Sequence, residues 1–590
     1  MKKKILGFLL TLVMLFSAFT FTACGDNSGI GGNNGGNGGQ QEDNSNKTML
    51  YAVSYDGGWG VEWLHQMADE FEEMYKDYEF EPGTGKKGIK IEIKPGKEDV
   101  KGDGLKGLMA ANTDYDIFFS TFALREYIGE GRLLNISHLV KNTMDAKYKK
   151  VWSDLGETKT IAEKMDPTIK DYVLYANHVD GVEQEDAYFG IPMYSSFYNI
   201  NYDIDLFYEK GFYMDANKKF ITGTEMGNTE EAINAAKHAG QDGVKGTEDD
   251  GLPITWDDFA KMCSQMRSNN TMPMSWSGNL DSYRAGYLTN FWANYEGADD
   301  WYINVTGEGD DSQFGQISPE LNNGYKLAGQ KGRWAALEFA KNIVYNNWYD
   351  TTASTGTNHT QAQTQFLMSK VYNMLNGTDH IAMFLEGGWW ENEAKSTLEN
   401  LASKYGISNR RFGIMTYPRM DNGHFVDANG NNEMALVSVT PDANVAIKKN
   451  PKQQEAAELF LIYTTTEKCL RTYTRMTGST RCYDYNLTED DYEEMSTFKI
   501  SLWKTYKRAL DSGNIRYISG PGRFGQINNR CVESNFGVTI TDFGYAAKDG
   551  FGLFIEAKKN NTGLTAEQYL LEYQNYYTQA KYKTTFLDQL

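Results

Sequence analysis

The stretch of sequence that decides the fold covers residues 49–119 and contains three strand patterns. It opens with MLYAVS (49–54), continues to IKIEIK (89–94) and closes with DIFF (116–119). The alternation of isoleucine with charged residues in the second pattern is typical of a strand with one solvated face. The short apolar run in the third is typical of a strand that is buried on both faces.

Helical periodicity separates these strands. Apolar residues after the first strand recur at spacings of three and four, which places them on one helix face: Val61, Leu64, Ala68, Phe71 and Tyr75. A shorter helical segment at 105–111 precedes the third strand. The order β-α-β-α-β predicts an α/β fold with a parallel sheet and right-handed crossovers.

Further helices and strands follow an extended aromatic segment at 190–199. Thr255 with Asp258 three residues later predicts a helix N-terminus. Helices are also predicted at 334–345, at 361–375 and from Asn450-Pro451, and strands at 381–385 and 411–417. A chain of 590 residues is too long for one hydrophobic core, so we expect two or more lobes.

The N-terminus predicts export. Three lysines precede an apolar run at 5–21, and Ala23 stands directly before Cys24. This order is typical of a secretory signal peptide. The cysteine resembles the lipobox of bacterial lipoproteins, in which that thiol is acylated, although Phe21 stands where the family usually has Leu. We therefore expect a signal peptide at 1–23 and lipidation at Cys24; an uncleaved membrane anchor is the alternative.

A flexible tether is predicted next. Residues 24–47 are mostly Gly, Asn, Asp, Ser and Gln, a composition that cannot bury enough surface to offset its chain entropy. The folded part is then expected on the extracellular face of the cytoplasmic membrane, attached only by its lipid. A cell envelope without an outer membrane fits such an anchor.

The composition of the chain argues against one class of ligand and favours another. The chain has 79 acidic and 58 basic residues, a net charge of −21, and no basic run after its first residues, which argues against nucleic-acid binding. Aromatic residues make up 14% of the chain. So many rings in an acidic, exported chain suit carbohydrate better than anionic ligands.

Cysteine and histidine offer no metal or disulfide framework. Beyond Cys24 there are Cys263, Cys469, Cys482 and Cys531, without metal-type spacing. One bridge, from Cys469 to Cys482, is a candidate. The seven histidines also lack zinc-type spacing.

Three stretches, in this order, carry a family resemblance. The first is YFGIP (188–192) with YN (198–199), the second is IAM (381–383) with GGWW (387–390), and the third is 435–447 with its following helix. The chain resembles the extracellular solute-binding proteins of carbohydrate ABC transporters, the maltose-binding-protein-like group.

The resemblance implies a two-lobed, periplasmic-binding-protein-like fold. Each lobe would be a mostly parallel sheet flanked by helices, with a hinge between the lobes. The N-lobe would comprise 48–186 plus 433–495, and the C-lobe 187–432 plus 496–590.

The same resemblance implies capture of a carbohydrate, an oligosaccharide by expectation, in the interlobe cleft and its delivery to ABC permease subunits. Such a protein is a monomer without enzymatic activity or a required cofactor. Two alternatives stay open, an exported glycoside hydrolase and a surface glycan-binding adhesin. A hydrolase needs two carboxylates across the cleft, and 79 acidic residues always allow such a pair to be proposed.

Ligand-binding candidates follow from strand ends and the crossing segment. Trp389 and Trp390 come after two glycines at a strand end; the resemblance implies that one stacks on a sugar, and we expect the other to point into the core. Tyr55, Asp56 and Trp59 lie in the first β-α loop, where strand ends face the cleft. The other candidates are Tyr194 and Ser195 on the crossing segment and, more weakly, Trp276, Asn279, Phe122, Glu386 and Arg419.

An acidic, glycine-rich loop is a calcium candidate. In DGVKGTEDDG (242–251), Asp242, Thr247, Asp249 and Asp250 supply the hard oxygen ligands that calcium prefers. The loop lacks EF-hand spacing, and a merely solvated loop is the alternative.

Overall fold

The computed structural model describes residues 44–175, 179, 186–354, 356–377, 379–419, 435–438, 442–517, 539–540, 545–546 and 550–589. One compact unit begins at Asn46. The predicted signal peptide, the lipidation site Cys24, most of the tether and Cys531 lie outside the described residues. Within the described ranges, no helix is both long and apolar enough to cross a membrane.

The strands are numbered β1 to β15 in chain order. They are Thr48–Tyr55, Ile89–Gly96, Tyr115–Thr121, Ile191–Pro192, Tyr198–Asp203, Thr271–Trp276, Gly309–Asp311, Gly315–Ile317, His380–Gly387, Phe412–Met415, Leu436–Ser438, Ala443–Ile447, Ile515–Tyr517, Thr539–Ile540 and Tyr545–Ala546.

The α-helices are numbered α1 to α22 in the same way. The first eleven are Glu62–Met74, Gly102–Leu108, Leu124–Gly129, Ser137–Lys141, Ile161–Lys164, Pro167–Tyr175, Ile204–Lys210, Glu230–Ala236, Trp256–Ser268, Asp281–Glu296 and Ala298–Thr306. The others are Lys331–Tyr345, His359–Asn376, Trp390–Glu393, Lys395–Tyr405, Gln454–Tyr463, Glu467–Thr477, Glu489–Glu493, Thr497–Asp511, Gly550–Lys559, Ala566–Tyr576 and Gln579–Thr585.

The first sheet has the strand order β2-β1-β3-β12-β4. Its first three strands form the predicted β-α-β-α-β unit: β1 is parallel to both β2 and β3, and Ala52 lies opposite Ile93 and Ile117. β12 runs antiparallel to β3 and β4, so a strand from late in the chain completes the sheet.

The second sheet has the order β10-β5-β9-β6. β6 and β9 are parallel, whereas β5 is antiparallel to both β9 and β10. The predicted α/β class with two separate sheets is confirmed, but the sheets are mixed rather than mostly parallel. Parallel pairs come from crossover connections. β5 and β12 instead enter their sheets from the other sheet, which allows antiparallel pairing.

Local helix signals were mostly confirmed. α1 buries Leu64, Ala68 and Phe71, and Thr255 with Asp258 forms a complete capping box at the start of α9. The helix predicted from Asn450-Pro451 begins later, at Gln454. Asn450 has a left-handed φ of 59°, and the Asp116 carboxylate accepts the N–H groups of Lys452 (2.7 Å) and Gln453 (3.2 Å). These contacts hold the chain in a turn before the helix starts.

The chain crosses between the sheets at two places that matter for the site. Residues 193–197 lead from β4 to β5, and β11 and then β12 follow β10 on the return. Within the first crossing, Ser195 forms an antiparallel bridge with Thr480. The tail packs on the second sheet, where the Ser501 hydroxyl of α19 accepts the N–H of Ile414 (3.0 Å). The predicted lobe boundaries stay a prediction.

Cys263, Cys469 and Cys482 are buried free thiols, so the candidate bridge from Cys469 to Cys482 is not formed. Burial raises the pKa of Cys469 and of Cys482 to about 12. A thiol is nucleophilic only as the thiolate, so these two cysteines are inert packing groups near neutral pH.

Candidate functional site

Six aromatic side chains lie where the loop after β1 meets the segment after β9, and we call them the cleft cluster. On the first-sheet side, Trp59 lies 4.9 Å from Tyr55 and 4.5 Å from Tyr194, measured between ring centroids. On the second-sheet side, Trp389 lies 5.5 Å from Tyr198 and 5.7 Å from Tyr283. The cluster comprises Tyr55, Trp59, Tyr194, Tyr198, Tyr283 and Trp389.

The two sides of the cleft cluster contact each other. Asn392 donates from Nδ2 to the carbonyl oxygen of Gly58 (2.7 Å), joining the loop after β1 to the helix after β9. Burial raises the pKa of Tyr194 well above its ordinary value, and hydroxyls from both sides, Tyr55 and Tyr198 among them, raise it further. Tyr194 therefore stays neutral and can act as a hydrogen-bonding group and a stacking surface.

Glycine shapes the loop after β1. A Cβ at Gly57 would lie 2.1 Å from the ring of Tyr55, and a Cβ at Gly58 would lie 2.6 Å from the Cβ of Trp389. Both contacts are closer than real side chains allow, so glycine is required for the rings of Tyr55 and Trp389 to pack against this backbone.

A buried polar row crosses the second sheet beside the cluster. Asn199 of β5 lies opposite Glu386 of β9, and Ser277 follows the last residue of β6 on the other side of Glu386. Directly opposite residues project to the same face of a sheet. Asn199, Ser277 and Glu386 are each at most 1% exposed. The row is therefore excluded from water.

The Glu386 carboxyl is buried, and only one of its two oxygens has a hydrogen bond of good geometry among the described residues. Its Oε1 accepts the N–H of Gly387 (3.0 Å), but Oε2 makes no hydrogen bond of good geometry within the described residues, and neither does Asn199 Nδ2. Burial and then the Glu393 carboxyl raise the pKa of Glu386 well above its ordinary value; the Gly387 N–H and the Ser277 hydroxyl oppose this. Burial therefore favours the neutral form of this carboxyl, which can donate a hydrogen bond as well as accept one.

Four of the predicted ligand residues, Tyr55, Trp59, Tyr194 and Trp389, belong to the cleft cluster. Two more border it. Asp56 is half-buried and its N–H donates to Gly96 (2.6 Å), and Ser195 is 2% exposed with no hydrogen-bond partner for its hydroxyl among the described residues.

Glu386, also a predicted ligand residue, lies in the polar row beside the cluster. The other predicted ligand residues lie apart from it. Trp390 is fully buried, as expected for one of the tryptophan pair; its ring packs on Phe412 (5.2 Å) and Phe498 (5.3 Å). Trp276 is 1% exposed and stacks on Tyr349 (5.0 Å).

Three weaker candidates also lie elsewhere. Phe122 packs on Tyr127 (4.9 Å), Asn279 is exposed, and Arg419 donates to the carbonyl of Gln241 (3.3 Å).

Tyr198 and Tyr283 were missed by sequence reasoning. Tyr198 stands in a motif that carried the family resemblance, so its position after the crossing was an available signal. Tyr283 lies near the start of α10, which carries four further aromatic residues, and nothing local distinguishes it from them.

The acidic loop at 242–251 is held largely by its own hydrogen bonds. Asp249 accepts the N–H of Gln241 (2.6 Å) and the Thr247 hydroxyl (2.8 Å), and Asp250 accepts the N–H of Gly246 (2.8 Å). In the described ranges, no group of three or more His, Cys, Asp or Glu side chains is arranged to hold a metal. Calcium at Asp242, Thr247, Asp249 and Asp250 stays a prediction.

No family model matches the chain, and no curated protein matches it. The chain is similar to the solved structure of apo RafE from Streptococcus pneumoniae, at 14% identity and a TM-score of 0.49 over 91% of this chain and 98% of that one. A chitin oligosaccharide binding protein is similar at 15% identity and 0.48, over 91% and 100%. The Thermus thermophilus maltotriose binding protein is similar at 14% and 0.43, over 90% and 100%. The ligands in these names are properties of those proteins.

Proposed function

We propose that this protein binds a carbohydrate, an oligosaccharide by preference, at the cleft cluster. One observation carries the proposal: aromatic rings from both sides of the cleft cluster lie beside a buried row of polar side chains whose hydrogen-bonding capacity is not fully used. Sugars present apolar ring faces that stack on aromatic rings and hydroxyls that pair with planar polar groups. Asn199 and Glu386 offer such groups.

We further propose that the protein captures its ligand outside the cell and delivers it to a transporter. The protein is a solute-binding lipoprotein, acylated at Cys24, that works as a monomer on the extracellular face of the membrane and hands its ligand to ABC permease subunits. The basic and apolar N-terminus, the small residue before Cys24 and the glycine-rich tether support this. Mass measurement of the mature N-terminus tests the acylation.

Calorimetric titration of the purified protein with neutral and acidic oligosaccharides tests the binding function. We expect saturable binding, with the sugar recovered intact. Release of shorter products would favour the hydrolase, and failure of every sugar to bind would contradict the proposal. Trp389→Ala tests the site, and Tyr405→Ala, at a residue 47% exposed, is the matched control.

A further inference from the structure

Glu393 lies at the side of the cleft cluster that solvent reaches. Its side chain is half-buried, and so are the rings of Tyr55 and Tyr283. The inner rings of the cluster are less accessible, since Trp59 is 3% and Trp389 is 8% exposed. The part of the cluster in contact with solvent is therefore formed by Tyr55, Tyr283 and Glu393, and we call these three residues the mouth of the cluster.

Two carboxyls lie beside the Tyr283 hydroxyl. Burial raises the pKa of Tyr283, and the carboxyls of Glu386 and then Glu393 raise it further, followed by the hydroxyls of Tyr198 and Tyr55. Burial and then Glu386 also raise the pKa of Tyr198. Such electrostatic effects weaken with distance, so both carboxyls lie close to rings of the cluster. Glu393 is the outer carboxyl of the pair and the fully buried Glu386 is the inner one.

Neither of these carboxyls forms an ion pair within the described residues. Glu393 accepts a hydrogen bond from Gln363 Nε2 (2.9 Å), and Oε2 of Glu386 has no hydrogen bond of good geometry among them. A buried carboxylate elsewhere in the chain has a cation as its partner: Asp203, 3% exposed in its side chain, pairs with Arg410. Buried charges are usually paired in this way, so the carboxyls at the cluster keep an unused capacity to bind a cation.

The basic side chains around the mouth leave Glu393 without a direct partner. Burial raises the pKa of Glu393, and weaker effects, among them those of His359 and Lys97, lower it. Neither base forms an ion pair with Glu393 in the part of the chain that the structure describes. The Lys101 Nζ instead stands 3.9 Å from the ring centroid of Tyr55. A ring of the mouth therefore already accommodates an ammonium group.

We propose that the carbohydrate carries an ammonium group, as an amino sugar does, and that Glu393, assisted by Glu386, binds this group at the mouth of the cluster. This inference rests on the proposed carbohydrate-binding function. An ammonium donates hydrogen bonds to carboxylates and is attracted to the faces of aromatic rings. Its charge favours the ionised forms of the two carboxyls, and the protons that they release pass to solvent. The chain's net charge of −21 also attracts cationic ligands.

The first test compares ligands on the wild type by calorimetric titration at about pH 6.5, where an amine is protonated. The probes are triglucosamine, its tri-N-acetylated counterpart and maltotriose. All three are trisaccharides, and only triglucosamine carries ammonium groups. We expect triglucosamine to bind about tenfold more tightly than either neutral trisaccharide, because only its charge pairs with the two carboxyls.

The second test is Glu393→Gln, which removes the charge and keeps an oxygen that can accept from Gln363. We expect the affinity for triglucosamine to fall about tenfold or more, with any neutral-sugar binding unchanged. Glu391→Gln is the matched control, because Glu391 lies on the same short helix, α14, and accepts the Ser496 hydroxyl (2.6 Å). Melting temperatures show whether both variants fold. If Glu393→Gln does not fold, the comparison of ligands on the wild type decides the inference.

The outcomes separate the two proposals. Tighter binding of triglucosamine that depends on Glu393 supports the inference. Neutral trisaccharides that bind as tightly as triglucosamine keep the proposed function and overturn the ammonium group. An equal affinity of wild type and Glu393→Gln for triglucosamine also overturns it, as does an equal loss in Glu391→Gln. If neither these probes nor the neutral and acidic oligosaccharides bind the wild type, the proposed function itself fails.

Discussion

Trp389 lies against the backbone of Gly58, so close that a Cβ at Gly58 would fall 2.6 Å from the Cβ of Trp389. Gly58 belongs to the loop after the first strand, and Trp389 follows the central strand of the other sheet. The nearby hydrogen bond from Asn392 to the Gly58 carbonyl (2.7 Å) completes the contact. These residues therefore set how closely the two sides of the cleft cluster approach each other.

Gly58→Val should hold the two sides of the cleft cluster apart. The added side chain cannot share the space of the Trp389 ring, so we expect a larger radius of gyration by small-angle X-ray scattering and weaker sugar binding. Gly107→Ala is the control, because a Cβ there has nothing within 4 Å. Identical scattering curves for wild type and Gly58→Val would show that this contact does not control closure.

Trp389 and Trp390 should respond differently to alanine. Trp390 is fully buried among aromatic rings, so we expect Trp390→Ala to lower the free energy of unfolding by about 3–5 kcal/mol. Trp389→Ala removes a ring of the cleft cluster; we expect sugar affinity to fall about tenfold or more with a smaller loss of stability. Urea unfolding and calorimetry measure both effects, and equal destabilisation by the two changes would place Trp389 in the core as well.

Calcium binding at the loop of residues 242–251 makes a distinct prediction. If Asp242, Thr247, Asp249 and Asp250 hold the ion, chelation lowers the melting temperature and added calcium restores it. Asp249→Asn should abolish that response, because one ligand charge is lost. A melting temperature indifferent to chelator and to calcium means that the loop's own hydrogen bonds are sufficient, such as the one from Thr247 to Asp249 (2.8 Å).

Local patterns were enough to predict part of this molecule. The first three strands and α1 follow from alternation and helical spacing within residues 49–119, since each signal is contained in its own segment. Tyr55, Trp59 and Trp389 were predicted because strand ends and glycines mark where a loop faces a cleft.

Other parts depend on contacts between distant segments. The helix after Asn450 begins only at Gln454 because Asp116 accepts hydrogen bonds from the turn before it. Asp116 lies beside that turn in space but more than three hundred positions away in sequence. Tyr283 joins the cleft cluster only through the packing of α10.

Glu296, at the end of α10, should make stability depend on pH. Burial raises its pKa to about 7, although its carboxylate accepts the N–H of Gly332. Because the folded pKa exceeds that of the unfolded chain, the folded state binds more protons above about pH 4.5, so stability is fully present below that pH and falls as pH rises to about 7. The loss is on the order of 3 kcal/mol. Glu296→Gln keeps a hydrogen-bond acceptor and removes the titration. We therefore expect its melting temperature to exceed that of the wild type at pH 8 and to match it near pH 4.5. Melting temperatures of the two proteins that change in parallel with pH would contradict this assignment.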